Sequence, residues 1–123
     1  MRIRMMLAGL AAAGLLAGPV AAQEQGQFQA SLTRIMEEAG KGVCPAELMG
    51  AEVLAACSGQ IEQMSIGLAS LGAVQSVTFV RSEETPDGAV ETYAVRYAGG
   101  QTLNWHIGQR QADGKFRTVG AGA

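Results

Sequence analysis

Thr102-Leu103-Asn104-Trp105-His106-Ile107 changes between polar and apolar at every step. In an extended strand Leu103, Trp105 and Ile107 therefore share one face, and Thr102, Asn104 and His106 share the other. The strand is expected to run on to about Arg110. The segments around it repeat the alternation. Val77 and Phe79 oppose Ser76 and Thr78 in a strand from about Val74 to Arg81. Tyr93, Val95 and Tyr97 oppose Thr92, Ala94 and Arg96 in one from about Val90 to Ala98. Pro86-Asp87-Gly88, inside a polar stretch from Ser82 to Ala89, reads as a loop. Asp113-Gly114 is a hairpin turn leading to a short last strand, Phe116 to Val119, with Gly120-Ala121-Gly122 as a tail.

Register follows from these faces. A two-residue Gly99-Gly100 turn would pair Val95 with Asn104 and Tyr93 with His106, setting an apolar face against a polar one. A three-residue loop, Gly99 to Gln101, pairs Tyr97 with Leu103, Val95 with Trp105 and Tyr93 with Ile107. The longer loop or an equivalent bulge is expected.

Ahead of the strands, Phe28, Leu32, Ile35, Met36 and Ala39 form the ladder of an amphipathic helix ended by Gly40 and Gly42. Cys44-Pro45-Ala46-Glu47 reads as a second helix start. Ile61, Met64, Leu68 and Leu71 form another stripe, with Ser58 as N-cap and Gly72 as the stop. The methionines at this spacing read as core filler. The expected architecture is α+β. Two or three N-terminal helices, within about residues 27–72, pack on one face of a three- to four-stranded antiparallel meander at about 74–120.

Cys44 and Cys57 are the only cysteines. An unbroken helix between them would hold them roughly 19 Å apart, whereas a disulfide needs Cα atoms within about 7 Å. Either the helix breaks, most naturally near Gly50, and the chain doubles back, or both thiols are free. The bond is the expected outcome, and it would stabilise by about 3 kcal/mol on the chain-entropy model. Two cysteines so far apart and one distant histidine do not make a metal-ligand set, and no cofactor is called for.

At the N-terminus Arg2 and Arg4 precede an apolar run, Met5 to Ala17, then Gly18-Pro19 and the small residues Val20-Ala21-Ala22. This is the pattern of an export signal cleaved after Ala22, leaving residues 23–123 as a single periplasmic or secreted domain. The run is shorter than the roughly 20 residues a membrane span needs, so no span is expected in the mature chain. The formal net charge is −2, and losing two arginines makes it more negative. With no basic cluster, nucleic acid is not an expected partner.

Ser70 to Phe79, Tyr93-Ala94-Val95-Arg96-Tyr97, Trp105-His106-Ile107 and Asp113-Gly114-Lys115 together resemble small exported bacterial domains of the nuclear transport factor 2-like (cystatin-like roll) superfamily, a type also found appended to serine hydrolases. The resemblance spans about Ser70 to Lys115. It implies a roll of helices over a sheet. It also implies one of three roles: an isomerase- or dehydratase-like enzyme, a non-catalytic ligand binder, or an interaction module accessory to a hydrolase. Such enzymes carry acids or histidines in the pocket between helices and sheet. The matching face here reads as Val77, Phe79, Tyr93, Val95, Tyr97, Leu103, Trp105 and Ile107, with neither.

His106 is the only histidine, and strand parity turns it away from that face. No Ser or Cys with an orienting acid is spaced to make it a catalytic base, so no catalytic residue is assigned. Two sets of binding candidates remain. Thr78, Arg96, Asn104 and His106 form a polar outer strip, and Tyr93, Tyr97 and Trp105 could line an apolar pocket under the helices. The expected role is a non-catalytic exported domain that binds a protein partner or a small apolar ligand.

Overall fold

A computed structural model describes residues 26–122 of the chain. Helix α1 spans Gln29–Gly40 and α2 spans Ala51–Leu71. Strands β1 (Val74–Thr85), β2 (Gly88–Tyr97), β3 (Thr102–Arg110) and β4 (Phe116–Gly122) follow. They form one sheet in the order β1-β2-β3-β4, every neighbouring pair antiparallel. The described residues are α+β, with two helices and a four-stranded meander. The export-signal reading of residues 1–22 lies outside the described residues.

Helix α1 forms where the apolar ladder placed it. Leu32, Ile35, Met36 and Ala39 are buried, as is Phe28 at the N-cap. Arg34 on the outer side reaches Glu38 one turn later and Glu47 beyond the helix.

The expected helix start at Pro45 is not formed. Residues 46–48 make a turn, closed by Leu48 N–H donating to Pro45 O at 3.0 Å, and Pro45 is fully buried beneath it. The break falls at Gly50, which has extended backbone and caps α2. From there α2 runs without interruption for 21 residues, so Ser58 is an interior residue and no cap. The stripe that reads as starting at Ile61 begins earlier, at Val53 and Cys57. Helical spacing is continuous across the two segments, and no proline interrupts it.

The doubling-back at Gly50 brings Cys44 and Cys57 together as a disulfide, with Cα atoms 6.1 Å apart. Residues 44–50 cross back over the first turns of α2, which removes the separation that one straight helix would impose.

The sheet is more extensive than the alternation shows. The Ser82–Ala89 stretch is not a loop but most of a hairpin. Glu83 pairs with Val90, Glu84 with Ala89, and Thr85 with Gly88, leaving only Pro86-Asp87 as the turn. Its polarity reflects exposure: Ser82, Glu83 and Glu84 lie on an edge strand with solvent beside them. At the other edge Gly120, Ala121 and Gly122 are not a tail. They pair with His106, Trp105 and Asn104.

The β2–β3 register keeps the expected faces with shifted partners. Val95 pairs with Leu103 and Tyr93 with Trp105, not Val95 with Trp105 and Tyr93 with Ile107. The loop does contain three residues, but they are Ala98, Gly99 and Gly100, because Tyr97 N–H donates to Gln101 O. Gly100, at φ 95, supplies the left-handed residue that ends a type I turn in such a hairpin. Parity alone could not separate the two alignments, since both put every apolar residue on one side.

Close approach fixes one further glycine. A Cβ on Gly108 would collide with Ala89 O and Val90 Cα, so β2 and β3 can meet there only without a side chain.

The core lies between α1 and the inner sheet face. Leu32, Ile35 and Met36 meet Tyr93, Val95, Tyr97, Trp105 and Ile107, with Met49, Cys57 and Phe116 closing one end. Phe28 and Phe116 meet edge to face at 5.0 Å.

Candidate functional site

Helix α2 is fastened at both ends and stands away from the sheet between them. At its start Gly50 N–H donates to Phe116 O and Phe116 N–H to Leu48 O, both at 2.9 Å. Here Met49 bridges Phe116 in parallel, and the disulfide at Cys57 adds a covalent tie about two turns further on. At its end Gly99 N–H donates to Leu71 O at 3.0 Å and Ala98 N–H to Ala73 O at 2.8 Å. A helix of this length spans about 31 Å, and Cys57 is its only buried residue. Ile61, Met64, Leu68 and Leu71 turn toward the sheet but are only partly covered.

The result is an open cleft of about 960 Å³ between α2 and strands β3 and β4. Met64, Leu68 and Leu71 line the helix side; Leu103, Trp105 and Val119 line the sheet side. The two charged residues among those lining it, Glu52 and Arg117, are both exposed and stand near the helix start. A mostly apolar concavity of this size with a few polar groups at its margin is the usual form of a ligand site.

The aromatic candidates divide. Trp105 reaches the cleft with 4% of its surface exposed, and its Nε1 donates to Tyr97 Oη at 2.9 Å. Tyr97 in turn donates to Met36 Sδ at 3.5 Å. It is fully buried behind the wall, and burial raises its hydroxyl pKa above the ordinary value, with the tryptophan bond working against the rise. Tyr93 is further off, at the other end of the inner face.

That end holds a residue the alternation had placed but the reading of the face left out. Glu91 follows the parity of Tyr93 and is buried to 1% exposure. Its carboxylate accepts hydrogen bonds from Gln27 N–H at 2.9 Å, Phe28 N–H at 3.0 Å and Tyr93 O–H at 2.6 Å. The inner face therefore does carry an acid, which corrects the expectation of none. It serves as the cap of α1, whose own N-cap residue, Phe28, has no capping side chain. A carboxylate at a helix N-terminus meets unpaired donors and the positive end of the dipole. Burial pushes the Tyr93 hydroxyl well above its ordinary pKa, and the bond to Glu91 adds to the rise. Glu91 is not among the residues lining the cleft.

The polar candidates share the opposite face of the sheet. Thr78, Ala94, Asn104 and Gly122 form one cross-strand row, with Arg96 in the next row between Ser76 and Thr102. His106 is half-buried, its Nδ1 3.0 Å from Thr92 Oγ1. Among the described residues Arg96 and Asn104 have no side-chain hydrogen bond or ion pair, and no cluster of acids, cysteines and histidine could hold a metal ion. The strip is a shared face with no assembled chemistry.

Alternation pointed to Leu103 and Trp105 in the cleft wall. Arg117 and Val119 fell in the expected last strand but were not assigned to a face, and Ala121 fell in the stretch that read as a tail. Comparison of the chain with protein-family models, with curated proteins and with solved structures returned no match.

Proposed function

We propose that this chain is a non-catalytic binding domain that works outside the cytoplasm, and that its working part is the cleft between α2 and strands β3 and β4. The observation carrying this reading is the unfilled apolar space itself. A helix pinned at both ends leaves Met64, Leu68 and Leu71 facing Leu103, Trp105 and Val119 across about 960 Å³. Apolar surface held apart in this way gains free energy when a guest covers it, about 25 cal/mol per Å². The guest is an apolar ligand or an apolar segment of a protein partner.

Periplasmic or secreted placement is supported by the disulfide, which persists in oxidising compartments, and by the export-signal reading of residues 1–22. No helix of the described residues is long and apolar enough to cross a membrane. Membership of the nuclear transport factor 2-like superfamily is part of the proposal, supported by the order of helices followed by a meander. The enzyme reading requires an acid or histidine that reaches the guest. Glu91 is occupied by Gln27, Phe28 and Tyr93, and His106 lies on the far face.

Trp105 is the only tryptophan and lines the cleft, so it reports on occupancy directly. Titration with Nile red should quench Trp105 emission, and native mass spectrometry of protein taken from the exporting cell should show retained mass. Unchanged Trp105 emission at saturating dye, with no retained mass, would remove the cleft as a binding site.

A further inference from the structure

The cleft has a polar component that its side chains do not show. Strand β4 is an edge of the sheet, and backbone groups along a strand point alternately to its two sides. Phe116 directs its N–H and C=O away from β3, where they bond to Leu48 O and Gly50 N–H. By the same alternation Thr118 and Gly120 direct theirs to that free side. Among the described residues these groups have no partner, and both residues form part of the cleft wall. One lip of the apolar space is thus a row of open main-chain donors and acceptors.

Resting on the binding function proposed above, we infer that the guest is an extended apolar peptide segment of another protein, added to β4 as a fifth strand. A small hydrocarbon ligand would cover Leu68 and Val119 and leave the edge unpaired. An extended peptide does both, because its backbone bonds to the edge while alternate side chains enter the groove. The fold already uses this line of contact once. Leu48–Gly50 pairs with the first residue of β4 and then turns away into α2, and the incoming segment continues the same interface where the protein's own chain leaves it. The edge is lightly protected. Arg117 is the one charged residue in β4, no proline stands in it, and its last three residues are Gly120, Ala121 and Gly122. Glu52 and Arg117, of opposite sign, leave the groove without net charge, which suits an uncharged segment.

The test uses a fluorescein-labelled, end-capped peptide of seven residues, the length of β4, alternating valine and threonine. It is titrated into the intact disulfide-bonded protein, with Nile red as a separate probe of the apolar lining. Gly120→Pro removes one outward N–H without touching the β3 ladder, and Gly120→Ala keeps it. The expected result is that the wild-type protein binds both probes, and that peptide binding is weakened about tenfold by Gly120→Pro and less than about twofold by Gly120→Ala. Methylating peptide amides at alternate positions should abolish binding in one phase of the alternation and spare it in the other, a readout independent of how the variants fold. Peptide binding that ignores both Gly120→Pro and amide methylation overturns the edge-pairing inference. Nile red binding with no peptide binding overturns it too and leaves the apolar cleft standing. Binding of neither probe overturns both.

Discussion

Glu91 and Tyr93 stand two residues apart on the inner face of β2, joined by a 2.6 Å hydrogen bond, with both side chains buried. Through this pair the sheet holds the start of α1, since Phe28 N–H donates to Glu91 at 3.0 Å and lies 3.2 Å from Tyr93 Oη. Replacing Glu91 by alanine takes the carboxylate acceptor from the buried Phe28 and Tyr93 donors, and each buried orphan costs about 1–3 kcal/mol. Glu91→Ala should therefore destabilise by about 3 kcal/mol or more. Glu91→Gln, which keeps the shape and loses the charge, should cost about half as much. Urea midpoints at constant m-value measure both. A Glu91→Ala midpoint within error of wild type would remove the pair from its place in the fold.

The same pair sets the behaviour in alkali. Tyr93 and Tyr97, the only tyrosines, both have hydroxyl pKa values raised by burial above the ordinary 10.0. A raised pKa means that the folded state holds the proton more tightly than the unfolded one. The linked stability is complete below pH 10 and is lost as pH rises from there toward the folded values. Stability should fall steeply above pH 10, and Tyr93→Phe should make that fall shallower while costing about 1 kcal/mol at neutral pH. Guanidinium unfolding from about pH 8 to about pH 11 checks the slope. An identical slope in Tyr93→Phe contradicts the assignment.

Glu91 also marks where the sequence stops being informative. The parity of β2 fixes its face, since 91, 93, 95 and 97 alternate together. Its backbone partners, however, are N–H groups 63 and 64 residues away, and no local pattern records such a meeting. Helix α1, the strand faces and the break at Gly50 are all local consequences of spacing, glycine and hydrophobic alternation, and they were legible. The extent of β1 and β4 was not, because edge strands exposed to water carry loop-like composition. The offset of β2 on β3 was hidden for a different reason. Alignments differing by two residues conserve the faces, and only the Tyr97–Gln101 bond in the turn selects between them. The cleft follows from where α2 is fastened, at Phe116 and Gly99, and those are tertiary contacts.

The disulfide should act chiefly on α2. Cys44 and Cys57 are separated by 13 residues, and the closed loop predicts a loss of about 3 kcal/mol when both are changed to serine. Cys57 is the only buried residue of α2, so the bond acts where the helix is most closely packed. Hydrogen exchange in the double variant should accelerate across Ala51 to Ile61 and remain slow in β2 and β3. Uniform acceleration across the whole chain would show that the bond stabilises the domain as one cooperative unit and has no special hold on the helix.

Two glycines test the closeness of the sheet. Gly108→Ala places a methyl group into Ala89 O and Val90 Cα, fixed backbone that has to move, and should cost about 3 kcal/mol or more. Gly120→Ala meets nothing within 4 Å and should change stability by less than about 0.5 kcal/mol. Thermal midpoints of the two variants, side by side with wild type, give the contrast. Equal midpoints would mean that β2 and β3 do not approach as described.

Leu32 and Leu68 are the same side chain in two kinds of surroundings. Leu32 is fully buried against the sheet, whereas Leu68 faces open space across the cleft. Truncating Leu32 to alanine leaves a cavity in close-packed surroundings and should cost about 2–5 kcal/mol. Truncating Leu68 removes a partly solvated side chain with few neighbours to lose, so its cost should stay below about 1.5 kcal/mol. Binding should reverse the order. Leu68→Ala deletes apolar surface from the groove and should weaken Nile red, while Leu32→Ala, measured where it is still folded, should leave the dye affinity unchanged. If Leu68→Ala costs as much stability as Leu32→Ala, α2 lies closed on the sheet in solution and the space between them is core, with no room for a guest.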